Sequence, residues 1–245
     1  MLSKIIGVGN KIELTRVSQT SSGTLGDIDE NKVYVSQVYD IIDEDRIKIA
    51  VPVDGRKVVL MPNNVRIDAC FYTSKGLYQG RFVIVDRYKE GNIMIQVIEL
   101  INELKKFQRR QYFRLDCTMS ITYKVIEEEN VEEYYQIEDL SKELEKEILL
   151  PAIALDLSGG GMRFVSRKRH NKDDMLAILL GINYGEIIKQ YGILAKVIGV
   201  NTSKSNSSLY EHRVEFSNVT SGVREDIIKY IFDEERKRRK KESGQ

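Results

Sequence analysis

Alternation of apolar and polar residues with a period of two runs through the first hundred positions. It constrains the chain more tightly than any other feature. Ile47, Ile49 and Val51 alternate with Arg46, Lys48 and Ala50. Val65, Ile67, Ala69 and Phe71 alternate with Arg66, Asp68, Cys70 and Tyr72, and Ile93, Ile95 and Val97 with Met94, Gln96 and Ile98. Successive side chains of a strand point to opposite faces, so each run buries one face of a sheet. Asp54-Gly55, Pro62-Asn63-Asn64, Lys75-Gly76 and Glu90-Gly91-Asn92 interrupt the runs at short intervals. Short strands at that spacing predict a small antiparallel barrel, with no long helix before residue 100.

A polar, basic stretch from Asn102 to Gln108 marks a junction, after which the pattern resumes. Leu115, Cys117, Met119, Ile121, Tyr123 and Val125 alternate with Asp116, Thr118, Ser120, Thr122 and Lys124, the cleanest strand of the chain. An acidic segment follows. Glu127 to Glu147 holds ten acids against two lysines, and Leu140, Leu144 and Ile148 fall at helical spacing, predicting a helix over 141–149. Further strands are expected at Ala152–Leu157, Met162–Val165, Met175–Leu180, Ile193–Val200 and Leu209–Phe216. A terminal helix follows, capped by Thr220 or Ser221, with Val223, Ile227, Tyr230 and Ile231 as its apolar stripe. The basic run Arg236 to Lys241 lies at the end of that helix, where its dipole favours cations.

Composition narrows the function. With 38 Lys+Arg against 37 Asp+Glu, the net charge of +1 argues against binding a long nucleic acid. No apolar run approaches the ~18 residues of a spanning helix, and the N-terminus does not read as a signal peptide. Two cysteines, Cys70 and Cys117, without metal-ligand spacing suggest a reduced, cytoplasmic chain. Only two histidines occur: His212 in register with a core face, and His170 in a basic loop with no second ligand in sequence. No phosphate-binding loop of the GxxxxGK[ST] type and no nucleophile–base pair is found, so the chain reads as a non-enzyme with no metal and no resident cofactor.

Two segments carry chemistry. In Arg109-Arg110-Gln111-Tyr112-Phe113-Arg114, arginines cluster ahead of a strand without helical caps. Guanidinium forks match phosphate oxygens and the O6/N7 edge of guanine, and they stack on flat bases. Tyr112 and Phe113 can anchor the segment while the arginines point outward. In Asp156-Leu157-Ser158-Gly159-Gly160-Gly161, at a strand exit, a carboxylate can accept from guanine N1–H and N2–H₂ and a hydroxyl can exchange hydrogen bonds. The three glycines permit close backbone approach.

Arg110-x-x-x-Arg114 followed by Asp156-x-Ser158-x-x-Gly161 resembles the paired signature of PilZ domains, and the first hundred residues resemble the smaller barrel that precedes PilZ in flagellar-brake proteins. The resemblance implies a mainly β chain of two small antiparallel barrels in tandem. The second is a six-stranded PilZ barrel with a C-terminal helix and the acidic, partly helical stretch as an insertion. It implies a split-barrel domain over 1–103, a PilZ domain over 104–235 and a basic tail over 236–245. The implied ligand is the bacterial second messenger cyclic di-GMP. Arg110 and Arg114 would take guanine edges and phosphates, Asp156 and Ser158 would read a guanine, and Gly161, with Gly159 and Gly160, would form the turn beside it. Arg109 is compatible with a stacked pair of nucleotides carrying four phosphate charges. Ligand would order the junction and fix the angle between the barrels, with flagellar motor proteins (stator or switch components) as partners and recruitment to the basal body as the location. A nucleotide-independent adaptor on the same scaffold, using the acidic insertion, is the alternative.

Overall fold

The computed structural model describes residues 2–17, 32–55 and 57–244. They form two compact units, Met1–Arg109 and Arg110–Gln245. The first holds strands β1 (Lys11–Arg16), β2 (Val33–Ile41), β3 (Arg46–Ala50), the short hairpin β4 (Val53–Asp54) and β5 (Lys57–Val58), β6 (Arg66–Thr73), β7 (Gly76–Glu90), β8 (Ile93–Leu100) and β9 (Lys105–Lys106). The second holds β10 (Arg114–Ile126), helices α1 (Val131–Gln136) and α2 (Leu140–Leu144), β11 (Leu150–Ser158), β12 (Gly161–Ser166), β13 (Met175–Asn183), β14 (Ile188–Thr202), β15 (Tyr210–Phe216) and helix α3 (Ser221–Glu242).

The first unit is a barrel in the order β6-β1-β2-β3-β8-β7, closed by antiparallel pairing of β6 with β7, and β9 adds to β7 at the rim. Ile12, Leu14, Ile47, Ile49, Ile67, Ala69, Phe71, Phe82 and Ile84 fill it. They come from alternate positions of their strands, as the period-two pattern requires. Strand β8 departs from the expected face. Ile98, rather than Val97, packs into the barrel core, and Gln96 on the same face is buried with its Nε2 donating to the Met61 carbonyl at 2.7 Å. Ile95 and Val97 are buried as well, so β8 is covered on both sides and alternation could not reveal which side faced inward.

The second unit is a closed barrel, β10-β11-β12-β15-β14-β13. Tyr123, Leu157, Phe164, Ile178, Ile193 and Val214 lie in its core, and α3 closes it with Ile227 and Ile231. Helix α3 begins as its sequence dictates, with the Thr220 hydroxyl accepting from the Val223 amide, and its last turns contain the basic run.

The acidic insertion corrects two expectations. It folds as a 3₁₀ turn (Glu128–Asn130) and two short α-helices rather than one helix over 141–149, and Ile148 is 98% exposed instead of joining the apolar stripe. The helix ends at Leu144 in tightened turns, with the Lys146 amide donating to the Glu143 carbonyl and the Glu147 amide to the Leu144 carbonyl, each at 3.1 Å, before the chain extends into β11 at Leu150. The insertion also packs on the barrel. Leu144 packs with Ile126, Ala177 and Leu194. Lys124 on β10 pairs with Glu147 and donates to Tyr134 at 2.7 Å, and the Tyr134 hydroxyl donates to Glu147 at 2.9 Å.

Candidate functional site

The site is built on adjacent strands of the second barrel. Arg114 opens β10 directly opposite Ser158, and Asp116 lies opposite Asp156. A β-bulge decides which way the second motif faces. Ala152 and Ala154 point into the core, and strict alternation would send Asp156 and Ser158 after them. The register shifts between Ala154 and Asp156, so Leu157 takes the core position instead. Asp156 and Ser158 are turned to the outer face, which is how bulges re-aim side chains.

On that face Asp156 is 7% exposed, and its Oδ2 accepts from the Arg163 Nε at 2.9 Å. Arg163, on β12, also reaches Glu211 on β15 at 3.4 Å. Among the described residues Oδ1 of Asp156 has no hydrogen-bond partner, so half of a carboxylate stands ready, oriented by a guanidinium. The Ser158 hydroxyl donates to the Gly161 carbonyl at 2.9 Å, which tightens the turn and leaves its lone pairs to accept.

The three glycines are required by the close approach of neighbours. A Cβ on Gly161 would lie 2.2 Å from the Val214 carbonyl oxygen of β15, and Cβ atoms on Gly159 and Gly160 would lie 2.9 and 3.0 Å from the Tyr112 ring. None of the three has a positive φ. Phe113 stacks on Phe232 of α3, with ring centroids 6.2 Å apart. Arg110 and Arg114 are exposed.

The second unit thus brings together Arg114, Asp156, Ser158 and Gly159–Gly161, with Arg110 four residues before Arg114. Arg109 ends the first unit, where it donates to Glu13 at 3.1 Å and lies over the Tyr72 ring at 5.2 Å. Desolvation alone would raise the Glu13 carboxyl. Hydrogen bonds from Lys11 and Tyr72 and the charges of Lys11 and Arg109 outweigh it and hold the carboxyl below its ordinary range. Sequence reasoning missed Arg163, which stands two residues past Gly161 at the alternate position facing away from the core.

Away from this face, the structure corrects the reading of His170. It is buried, and the Tyr123 hydroxyl lies 2.7 Å from its Nε2. Its backbone amide donates to the His212 Nε2 at 3.2 Å. The second histidine that sequence proximity did not reveal is therefore beside it, with ring centroids 4.9 Å apart. Burial, and then the His170 charge, push His212 down to about 4. Burial, followed by the charges of Asp156 and Asp116, pushes the Cys117 thiol up to about 11. Among the described residues no group of three or more His, Cys, Asp or Glu is placed to hold a metal, and no helix is long and apolar enough to cross a membrane.

Chemically, the face offers guanidinium forks, an oriented carboxylate and a hydroxyl around a close-packed turn, a donor and acceptor set suited to an anionic nucleotide. Residues 7–99 match the family profile described as flagellar protein YcgR, and residues 108–233 match the PilZ domain profile. No curated protein matches the chain in sequence. The Bacillus subtilis inhibitor of motility MotI/DgrA shares the fold with a TM-score of 0.70 at 17% identity, over 96% of this chain and 100% of that one. Escherichia coli YcgR, solved in complex with c-di-GMP, shares it with a TM-score of 0.50 at 13% identity, over 96% and 88%. With the PilZ profile covering more than half of the residues, and the paired motif seated on adjacent strands of a closed six-stranded barrel, this chain belongs to the PilZ-domain family.

Proposed function

We propose that the chain is a non-enzymatic receptor for cyclic di-GMP that regulates flagellar motility. The observation that carries the reading is the placement of Arg114 opposite Ser158 and beside Asp156, on one outer face next to the Gly159–Gly161 turn. The match of both barrels to the flagellar YcgR and PilZ profiles, and the nucleotide bound by E. coli YcgR, support it. In this reading Arg110 and Arg114 hold phosphates and guanine edges. The free oxygen of Asp156 accepts from a guanine Watson–Crick edge, Ser158 accepts from the same base, and the turn of Gly159, Gly160 and Gly161 lets the ligand lie close. Arg109 adds a third cation for a stacked pair of nucleotides. It must leave Glu13 and Tyr72 to do so, which ties ligand occupancy to the orientation of the two barrels. A ligand shifts such an equilibrium only through its different affinity for the two arrangements. The receptor acts in the cytoplasm, and its output is directed at stator or switch components of the motor at the flagellar basal body.

Titration calorimetry with cyclic di-GMP, GTP and cyclic di-AMP tests the assignment. Charge-assisted hydrogen bonds contribute about 1.5–3 kcal/mol each, so Arg114→Ala is expected to weaken cyclic di-GMP binding by roughly tenfold to a hundredfold or more. Equal binding by wild type and Arg114→Ala would remove the site, and no binding by wild type would leave the nucleotide-independent adaptor.

A further inference from the structure

We infer that Tyr112 and Arg224 are positioning residues of the nucleotide site, a reading that rests on the ligand assignment above. Arg224 lies in the first turn of α3, far in sequence from both motifs. Its amide is held by the Thr220 carbonyl at 3.0 Å. Its guanidinium lies 5.4 Å from the centroid of the Tyr112 ring, and its Nη1 donates to the Gly159 carbonyl. The Tyr112 ring in turn occupies the space that Cβ atoms on Gly159 and Gly160 would need, and Ile228 of α3 crowds Gly159 to within 3.0 Å of where its Cβ would be. The Gly160 carbonyl accepts from the Phe216 amide at 2.9 Å. Both turn carbonyls are therefore taken by the protein, and one aromatic ring separates the turn from the arginine lead-in.

Tyr112 stands midway between Arg110 and Arg114. Fixing its ring fixes where the segment carrying the two guanidinium groups leaves the barrel, and the same ring fixes the turn. Arg224 holds both by stacking and by hydrogen bonding at once. A planar guanidinium can lay its face toward the ring while its edge donates in a fixed direction, whereas a lysine ammonium keeps the charge on the ring without that fixed fork. Neither residue needs to touch the ligand. Their effect is to order, before binding, groups whose ordering would otherwise weaken binding.

The test uses the full chain. Calorimetry with cyclic di-GMP is run on wild type, Arg114→Ala, Arg224→Ala, Arg224→Lys and Tyr112→Leu, with amide hydrogen exchange at Gly159, Gly160 and Gly161 in the ligand-free proteins. Arg224→Ala and Tyr112→Leu are expected to lose about tenfold in affinity, the scale of one charge-assisted contact. Arg224→Lys should lose about threefold, and turn amides should exchange faster in all three. If Arg224→Ala does not fold, Arg224→Lys decides by the same two measurements. Wild-type affinity and wild-type exchange in the Arg224 variants, with binding still lost in Arg114→Ala, would overturn the inference. If wild type itself binds no nucleotide, the ligand reading fails instead, and the exchange of the turn amides still reports whether Arg224 holds the turn.

Discussion

Gly161 has no room for a side chain, since its Cβ would sit 2.2 Å from a backbone oxygen of β15. That oxygen belongs to a core strand and cannot move aside as a flexible side chain would. Gly161→Ala is expected to cost about 3 kcal/mol by overpacking, read as a lower urea midpoint with unchanged slope. Retention of wild-type stability would mean that β12 and β15 can separate at this point. Asp156 is determined at the same scale. Its partner Arg163 is on the next strand, and one carboxylate oxygen is taken while the other is left, so the pair orients a single acceptor. Two residues that differ in burial and charge, Asp156 and Arg114, become neighbours only because β10 and β11 pair in this register.

At the scale of elements, the acidic insertion packs on the barrel because β14 carries a glycine beneath it. A Cβ on Gly192 would lie 2.5 Å from the Ser141 amide and 2.6 Å from the Leu140 carbonyl carbon, so α2 rests on bare backbone. Gly192→Val is expected to lift α2, with a loss of about 2 kcal/mol and faster proteolysis within 127–149. Proteolysis at the wild-type rate would show that the insertion tolerates the added bulk. The contact of the loop before β13 with β15 has a different character. His170 and His212 are buried, 3% and 0% exposed, and both are held below the ordinary histidine value, chiefly by burial. The fold therefore keeps them neutral. The contribution of His212 to stability is complete above an unfolded-state pKa of about 6.5 and is lost as pH falls toward about 4, because the unfolded chain takes up protons that the folded one refuses, and His170 acts in the same direction. At about 1.4 kcal/mol per unit, His212 alone accounts for roughly 3 kcal/mol over that range. Denaturant titrations at pH 7.5 and pH 5 should show the fall, and His212→Gln should flatten it. An unchanged slope in that variant would assign the acid sensitivity elsewhere.

At the scale of the whole molecule, the proposed function links ligand binding at the junction to the arrangement of the two units. Arg109 belongs to the first unit and Arg110 to the second, and the first is paired with Glu13. An ion pair as exposed as this contributes ~0–1 kcal/mol, which a nucleotide's phosphates can outcompete. Small-angle scattering is expected to change on adding cyclic di-GMP to wild type and to change much less with Arg109→Ala. The same variant should reduce the calorimetric stoichiometry from two nucleotides per chain to one. Scattering curves that do not move with saturating ligand would rule out reorientation as the output.

The sequence alone determined the strand-rich class, the first barrel, and the terminal helix and its cap, because these depend on short-range rules: side-chain period, turn residues and capping; the second barrel was legible only through the resemblance of the paired motif to PilZ domains. It did not determine which face of β8 points inward, since both faces are buried and the pattern carries no contrast. It did not show the short helices of the insertion, whose Leu144 is placed by packing against Ile126, Ala177 and Leu194 of the barrel rather than by local apolar spacing. Nor could it place Arg163 beside Asp156, His212 beside His170, or Arg224 on Tyr112, because these pairs meet only through strand register and helix packing. Whether Asp156 and Ser158 faced solvent or core was decided by one bulge in β11, a feature of backbone pairing that residue order alone does not specify.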